Sequence, residues 1–150
     1  LVLDPAHKKK STKSLVVGFQ DGRLLLTKRG GLFQRRNDTV LFQGGSDSTS
    51  YEGIECVTWR GTLIAWADAS DIKLLDIETL TRIAHIDRPT GARPTLYPTI
   101  SQVRPHLLFE TASNLLVVWG DCLMNMAIQE TPVRGDGTSI TMRRTVQCTM

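Results

Sequence analysis

Three short apolar segments follow one another between Cys56 and Asp76, and this stretch constrains the fold more than any other. The first, Cys56–Arg60, alternates apolar and polar side chains, whereas Leu63–Ala67 is apolar throughout. Short runs of this kind, separated by turn residues, are typical of strands joined by hairpins. The apolar run is too short for a membrane helix, which needs about 20 residues. It suits a strand that is buried on both faces.

Similar apolar hairpins recur upstream and downstream of this stretch. In each, an apolar arm is followed by a polar turn and a second apolar arm, and both arms keep the same spacing between hairpins. Periods of roughly 40–50 residues with four strands per unit are typical of propeller blades. The first arms are Leu15–Val17, Leu63–Ala65 and Leu107–Phe109, and the second arms are Leu24–Leu26, Ile72–Leu74 and Leu116–Val118.

The sequence therefore predicts an all-β fold, a partial WD40-like β-propeller with about two complete blades plus parts of neighbours. Residues 1–129 are assigned to the propeller, and residues 130–150, which lack a clear apolar period, to a weakly structured tail. Trp59, Trp66 and Trp119 are large enough to pack between blades, and we interpret them as structural. A plain antiparallel sandwich is the alternative. Propellers typically need 4–8 blades to close, so we expect the chain to be a piece of a longer protein.

The composition is that of a globular domain, with 41% hydrophobic and 22% charged residues in 150. The net charge of +3 is mildly basic and comes largely from local runs that are more often solvated loops than binding sites. We predict no nucleic-acid partner. The cysteines are odd in number, widely spaced and without a CxxC motif. They argue against a disulfide framework or a zinc module and favour a reducing compartment.

No residue pattern indicates catalysis. The sequence contains no phosphate-binding loop, no serine-nucleophile elbow and no HExxH motif. The acids around the central hairpin are explained by turn capping; they are Asp68, Asp71 and Asp76. The histidines lie far apart in the sequence, at His7, His85 and His106. We predict no enzyme activity, catalytic residue, cofactor or metal. A propeller hydrolase or lyase is disfavoured, because the three hairpins share no acidic or histidine position.

The segment Ile54–Ile83 resembles the amino-terminal propeller of the vacuolar protein sorting-associated protein 41 family. Members carry a VKWRG-like strand, then LIAWAN, a turn, a VKIFD-like strand and a QRI-like end. The matching residues here are Val57–Gly61, Leu63–Asp68, Ile72–Asp76 and Thr81–Ile83, with Gly18–Gly22 and Thr39–Leu41 upstream and Arg93-Pro94 and Tyr97-Pro98 downstream.

The resemblance is strongest over Leu15–Trp119, and three departures stand out. Asp68 replaces a common Asn, the insertion Ser46–Glu52 is long, and Glu130–Met150 matches nothing in the family pattern.

The resemblance implies a non-enzymatic interaction scaffold, part of a HOPS complex subunit that acts in vesicle tethering and endosome-to-lysosome or vacuole transport. Implied partners are other HOPS subunits, a Rab-type small GTPase and the AP-3 adaptor, with peripheral membrane contact. The implied location is cytoplasmic, on late endosome and lysosome or vacuole membranes. The family's α-solenoid and RING-like parts are absent from this sequence.

A different function stays open at the basic loop His7–Lys13. A propeller or sandwich module unrelated to tethering could contact an anionic membrane through this loop, at about 1 kcal/mol for each Lys or Arg near the surface.

Overall fold

The computed structural model describes residues 1–6, 8, 13–29, 36–44, 53–89, 104–134 and 140–150. These residues form twelve β-strands and no helix. Each group of four consecutive strands forms one antiparallel sheet, in which neighbours in sequence are neighbours in space. The strands are β1 Val2–Leu3, β2 Lys13–Gly18, β3 Leu24–Arg29, β4 Asn37–Phe42, β5 Cys56–Arg60, β6 Leu63–Ala67, β7 Asp71–Asp76, β8 Thr81–Asp87, β9 His106–Thr111, β10 Asn114–Trp119, β11 Cys122–Arg134 and β12 Ile140–Thr149.

The sheets are three blades: blade 1 (β1–β4), blade 2 (β5–β8) and blade 3 (β9–β12). The predicted all-β partial propeller is confirmed. The chain holds three four-stranded blades where about two complete ones were predicted, chiefly because β12 adds a long fourth strand to blade 3.

Blade 2 lies between the other two, and every residue of β6 and β7 is buried. Alternate side chains of β6 point to opposite neighbours. Ile64 and Trp66 pack in the core shared with blade 1, and Leu63 and Ala65 pack in the core shared with blade 3. The predicted burial of this strand on both faces is therefore confirmed. So is the place of the tryptophans between blades: Trp59 and Trp66 lie in the first core and Trp119 in the second.

The third hairpin of the sequence repeat is displaced by one strand. The first two hairpins are β2–β3 and β6–β7, the second and third strands of their sheets, whereas the third hairpin is β9–β10, the first and second strands. The true counterpart in blade 3 is β10–β11. The spacing predicted the wrong strands for this hairpin. Leu107 and Phe109 make the first strand of blade 3 as apolar as an inner strand, whereas β5, the first strand of blade 2, has both polar and apolar side chains.

The expectation of a weakly structured tail over residues 130–150 differs from the structure. Strand β11 runs on to Arg134 and pairs with β12 from Asn125 opposite Thr149 to Arg134 opposite Ile140. Backbone pairing and cross-strand polar contacts hold this β11–β12 ribbon, such as the 3.1 Å bond from Gln129 Nε2 to Gln147 Oε1. Apolar periodicity could not reveal it, because most of the ribbon's described side chains are exposed.

The faces of blades 1 and 3 that point away from blade 2 are apolar but uncovered within the described residues. On blade 3, Leu108 is 62% exposed and Leu123 is 59% exposed. On blade 1, Leu3 and Val40 are also exposed. The arc of three blades is thus open at both ends.

Candidate functional site

Strand β7 carries a positive charge into the junction of blades 1 and 2. Lys73 lies opposite Trp66 in the β6–β7 register and is 5% exposed. Its ammonium group donates to Asp68 Oδ2 at 2.7 Å and to Asp71 Oδ1. It also lies 5.2 Å from the centre of the Phe42 ring of blade 1. Two carboxylates therefore match a charge that has little contact with water.

His85 of β8 extends this ionic cluster (Asp68, Asp71, Lys73 and His85) towards the surface. Its Nε2 lies 2.7 Å from Asp71 Oδ2. Burial would raise the pKa of Asp68, but hydrogen bonds from Lys73 and Ser70 outweigh it and hold that pKa below its ordinary value. The ionised Asp68 carboxylate therefore links the β6–β7 turn, through Ser70, to Lys73 of β7.

A second set of polar contacts joins blade 3 to blade 2. Arg144 of β12 donates from Nε to Glu130 Oε1 at 2.6 Å, and from Nη1 to Thr62 Oγ1 at 3.0 Å and to Asp76 Oδ2. Asp76 is buried, so this guanidinium matches a carboxylate that water hardly reaches. The β11–β12 ribbon is thereby fixed over the end of blade 2.

Two cavities open on either side of the Arg144–Glu130 pair, and we call them together the inter-blade groove. The smaller, of about 400 Å³, lies beside the Arg60–Gly61 turn of blade 2. The larger, of about 650 Å³, lies between the β7–β8 turn and the β11–β12 ribbon. Its lining includes Arg82, Ile83 and Arg143. The inter-blade groove therefore presents both polar and apolar groups to a ligand that approaches from solvent.

Three candidate residues of the sequence, Asp68, Asp71 and His85, meet in the ionic cluster, and the others that the structure describes lie apart from it. Turn capping is confirmed for Asp68, whose Oδ1 accepts from the Ser70 amide at 3.0 Å, and for Asp76, whose Oδ1 accepts from the Glu78 amide at 2.8 Å. Asp71 differs, because its carboxylate binds side chains instead.

The histidines are not brought together. His85 contacts Asp71, and His106 is exposed on β9, while His7 lies outside the described residues. Among the described residues, no three His, Cys, Asp or Glu side chains are grouped to hold a metal ion. Lys8 and Lys13 are the described residues of the basic loop, and the Arg93–Pro98 segment is outside them.

Sequence reasoning missed Lys73 and Arg144. A usable signal existed for Lys73, since it is a charge inside an otherwise apolar strand with acidic residues two and five positions before it. Arg144 had no such signal, because its partners in blade 2 are remote in sequence.

Stacked four-stranded antiparallel blades, in which strands adjacent in sequence are adjacent in space, define a partial β-propeller. Residues 1–149 match the family model of the Vps41 β-propeller, whose description reads "Vps42 beta-propeller". The chain belongs to this family.

Several relatives are named vacuolar protein sorting-associated protein 41 or a homolog of it. The Solanum lycopersicum homolog is 33% identical over 90% of this chain and 13% of its own length. The Danio rerio homolog is 33% identical over 87% of the chain and 14% of its own length. The Schizosaccharomyces pombe protein is 24% identical over 95% of the chain and 15% of its own length. The chain thus spans a small part of these relatives.

No solved structure is significantly similar to the chain. Among the described residues, no helix has the length and apolar character needed to span a membrane.

Proposed function

We propose that this chain is a non-enzymatic propeller scaffold of a HOPS-type subunit, acting in vesicle tethering during vacuolar or lysosomal protein transport. The observation that carries the proposal is the match of residues 1–149 to the Vps41 propeller family. The names of the relatives, which refer to vacuolar protein sorting, support it.

The contacts of the charged side chains are consistent with a scaffold. Lys73 pairs with two carboxylates of its own blade at the junction with blade 1. Arg144 pairs with Asp76 of blade 2, so it joins blade 3 to blade 2. The proposal includes no catalytic residue and no cofactor, because the family is described as a β-propeller and its relatives are named for vacuolar protein sorting.

The uncovered outer faces support a place in a larger propeller. Sheets with apolar side chains on both faces are stable when both faces are covered, and Leu108 and Val40 have no cover among the described residues. We infer that further blades of a longer polypeptide cover them.

The proposed partners are other HOPS subunits, a Rab-type small GTPase and the AP-3 adaptor. The proposed location is the cytoplasmic surface of late endosomes and lysosomes or vacuoles. Support for both comes from the family to which the chain belongs.

Native affinity purification from the cells that make the protein tests this function. A tag on the endogenous protein should recover other tethering-complex subunits, identified by mass spectrometry. Trp66→Ala, which empties a position between blades 1 and 2, should reduce recovery per tagged molecule, whereas the exposed control Arg36→Met should not. Recovery of the protein without such subunits would contradict the proposal.

A further inference from the structure

The inter-blade groove is lined by four arginines and three carboxylates, a net charge of +1. Arg144 is matched by Asp76 and Glu130. Arg82 and Arg143 also line the groove, but within the described part of the chain neither guanidinium forms an ion pair or a side-chain hydrogen bond. These two unmatched cations favour a ligand with carboxylates, which pair well with guanidinium groups.

Each of the two cavities also contains one further charged side chain without an ion pair among the described residues. Arg60 lines the smaller cavity and donates to the uncharged Phe109 carbonyl at 3.2 Å. Glu78 lines the larger cavity and has no ion pair among the described residues. Three cations without a carboxylate partner therefore face one such anion, and the second carboxylate paired with Arg144 brings the net charge of the groove to +1.

The same groove offers apolar contacts. Ile83, Val133 and Met142 line its larger cavity, and Met142 is 58% exposed. Leu80 lies in the adjoining β7–β8 turn, 59% exposed, with a φ of 54°. A bulky side chain is rare in this left-handed conformation, and folding alone gains nothing from an exposed leucine there. Strained residues of this kind cluster at binding sites.

We propose that the inter-blade groove binds an extended acidic segment of a partner protein that also carries apolar side chains. Its carboxylates pair with Arg82 and Arg143, and its apolar side chains contact Leu80, Val133 and Met142. The inference rests on the proposed scaffold function, because it gives that scaffold a defined site for a partner.

Fluorescence anisotropy with two labelled peptides tests the charge preference. A short peptide of alternating Asp and Leu should bind the intact chain at least about tenfold more tightly than one of alternating Lys and Leu. The double variant Arg82→Glu/Arg143→Glu should reverse this preference, while the control Arg23→Glu on blade 1 should keep it. Equal binding of both peptides, no binding of either, or an equal effect of the control would overturn the proposal.

A second variant separates the apolar contact from electrostatic attraction. Leu80→Gly removes the strained side chain, so the melting temperature should stay the same or rise while affinity for the Asp-Leu peptide falls about fivefold. Unchanged affinity, or equally tight binding of a peptide of Asp alone, would show general polyanion binding and overturn the proposal. If the peptides fail while complex subunits still co-purify, the groove is wrong and the scaffold function stands.

Discussion

Blade 2 and blade 3 are built alike but differ in how many of their faces are covered. In blade 2 both faces of the two inner strands are buried, so β6 and β7 have no exposed side. In blade 3 the face towards blade 2 is buried at Leu115 and Val117, while Val118 on the other face is 42% exposed. No described residue covers that second face of blade 3, and it is still apolar. The apolar pattern thus indicates which faces of a blade must be buried, and the structure shows which of them the described residues bury.

The largest expected difference concerns buried charge. Lys73→Met in blade 2 keeps the length of the side chain but leaves Asp68 and Asp71 without their cation. We expect a loss of about 3–5 kcal/mol in the free energy of unfolding. Arg143→Met in blade 3, which removes a charge without an ion pair among the described residues, should leave stability nearly unchanged. Urea denaturation of both variants measures this, and equal losses would break the comparison.

The same cluster predicts a dependence on pH. The pKa of Asp68 is lower in the folded chain than its ordinary value, so the unfolded chain binds more protons in acid. The stability from this carboxylate should be complete above about pH 4, the ordinary Asp pKa, and lost as the pH falls through the lower folded-state pKa. Asp68→Asn should flatten this part of the curve of unfolding free energy against pH. An unchanged acid limb would contradict the role of Asp68.

The next prediction compares one leucine of blade 2 with one leucine of blade 3. Leu74→Ala in blade 2 removes a fully buried side chain and should cost about 2–5 kcal/mol of unfolding free energy. Leu108→Ala on the open face of blade 3 should cost within about 0.5 kcal/mol. Chemical denaturation of the isolated chain measures both. A cost at Leu108 close to that at Leu74 would mean that its face is covered, for example by a second copy.

The smallest effect concerns thiol chemistry and leaves stability unchanged. Burial raises the pKa of Cys56 in blade 2 to about 12, whereas Cys148 on β12 is exposed. Because the thiolate is the reactive form, iodoacetamide near pH 8 should modify Cys56 at least about tenfold more slowly than Cys148. Peptide mass spectrometry over time gives both rates, and in denaturant they should converge. Equal rates in the native protein would show that blade 2 opens readily.

The comparison also explains what the sequence could predict. Blade 2 was predictable strand by strand, because burial on both faces leaves a continuous apolar run at Leu63–Ala67. The ribbon was not, since the described parts of its strands are largely exposed and depend on backbone pairing. The same difference between predictable and unpredictable features holds for single residues. Trp66 was recognisable in the sequence as a core side chain, whereas the contact of Arg144 with Asp76 depends on tertiary structure.

The contact between Arg144 and Asp76 also has a consequence for the order of assembly. The two residues are 68 positions apart in the chain, so blade 2 is synthesised long before its guanidinium partner. Until then the carboxylate of Asp76 remains without this counter-charge. Closing a long loop adds little entropic cost for each further residue, so the ribbon can dock late without a large penalty. Docking of Arg144 would then mark the moment at which both blades are in place.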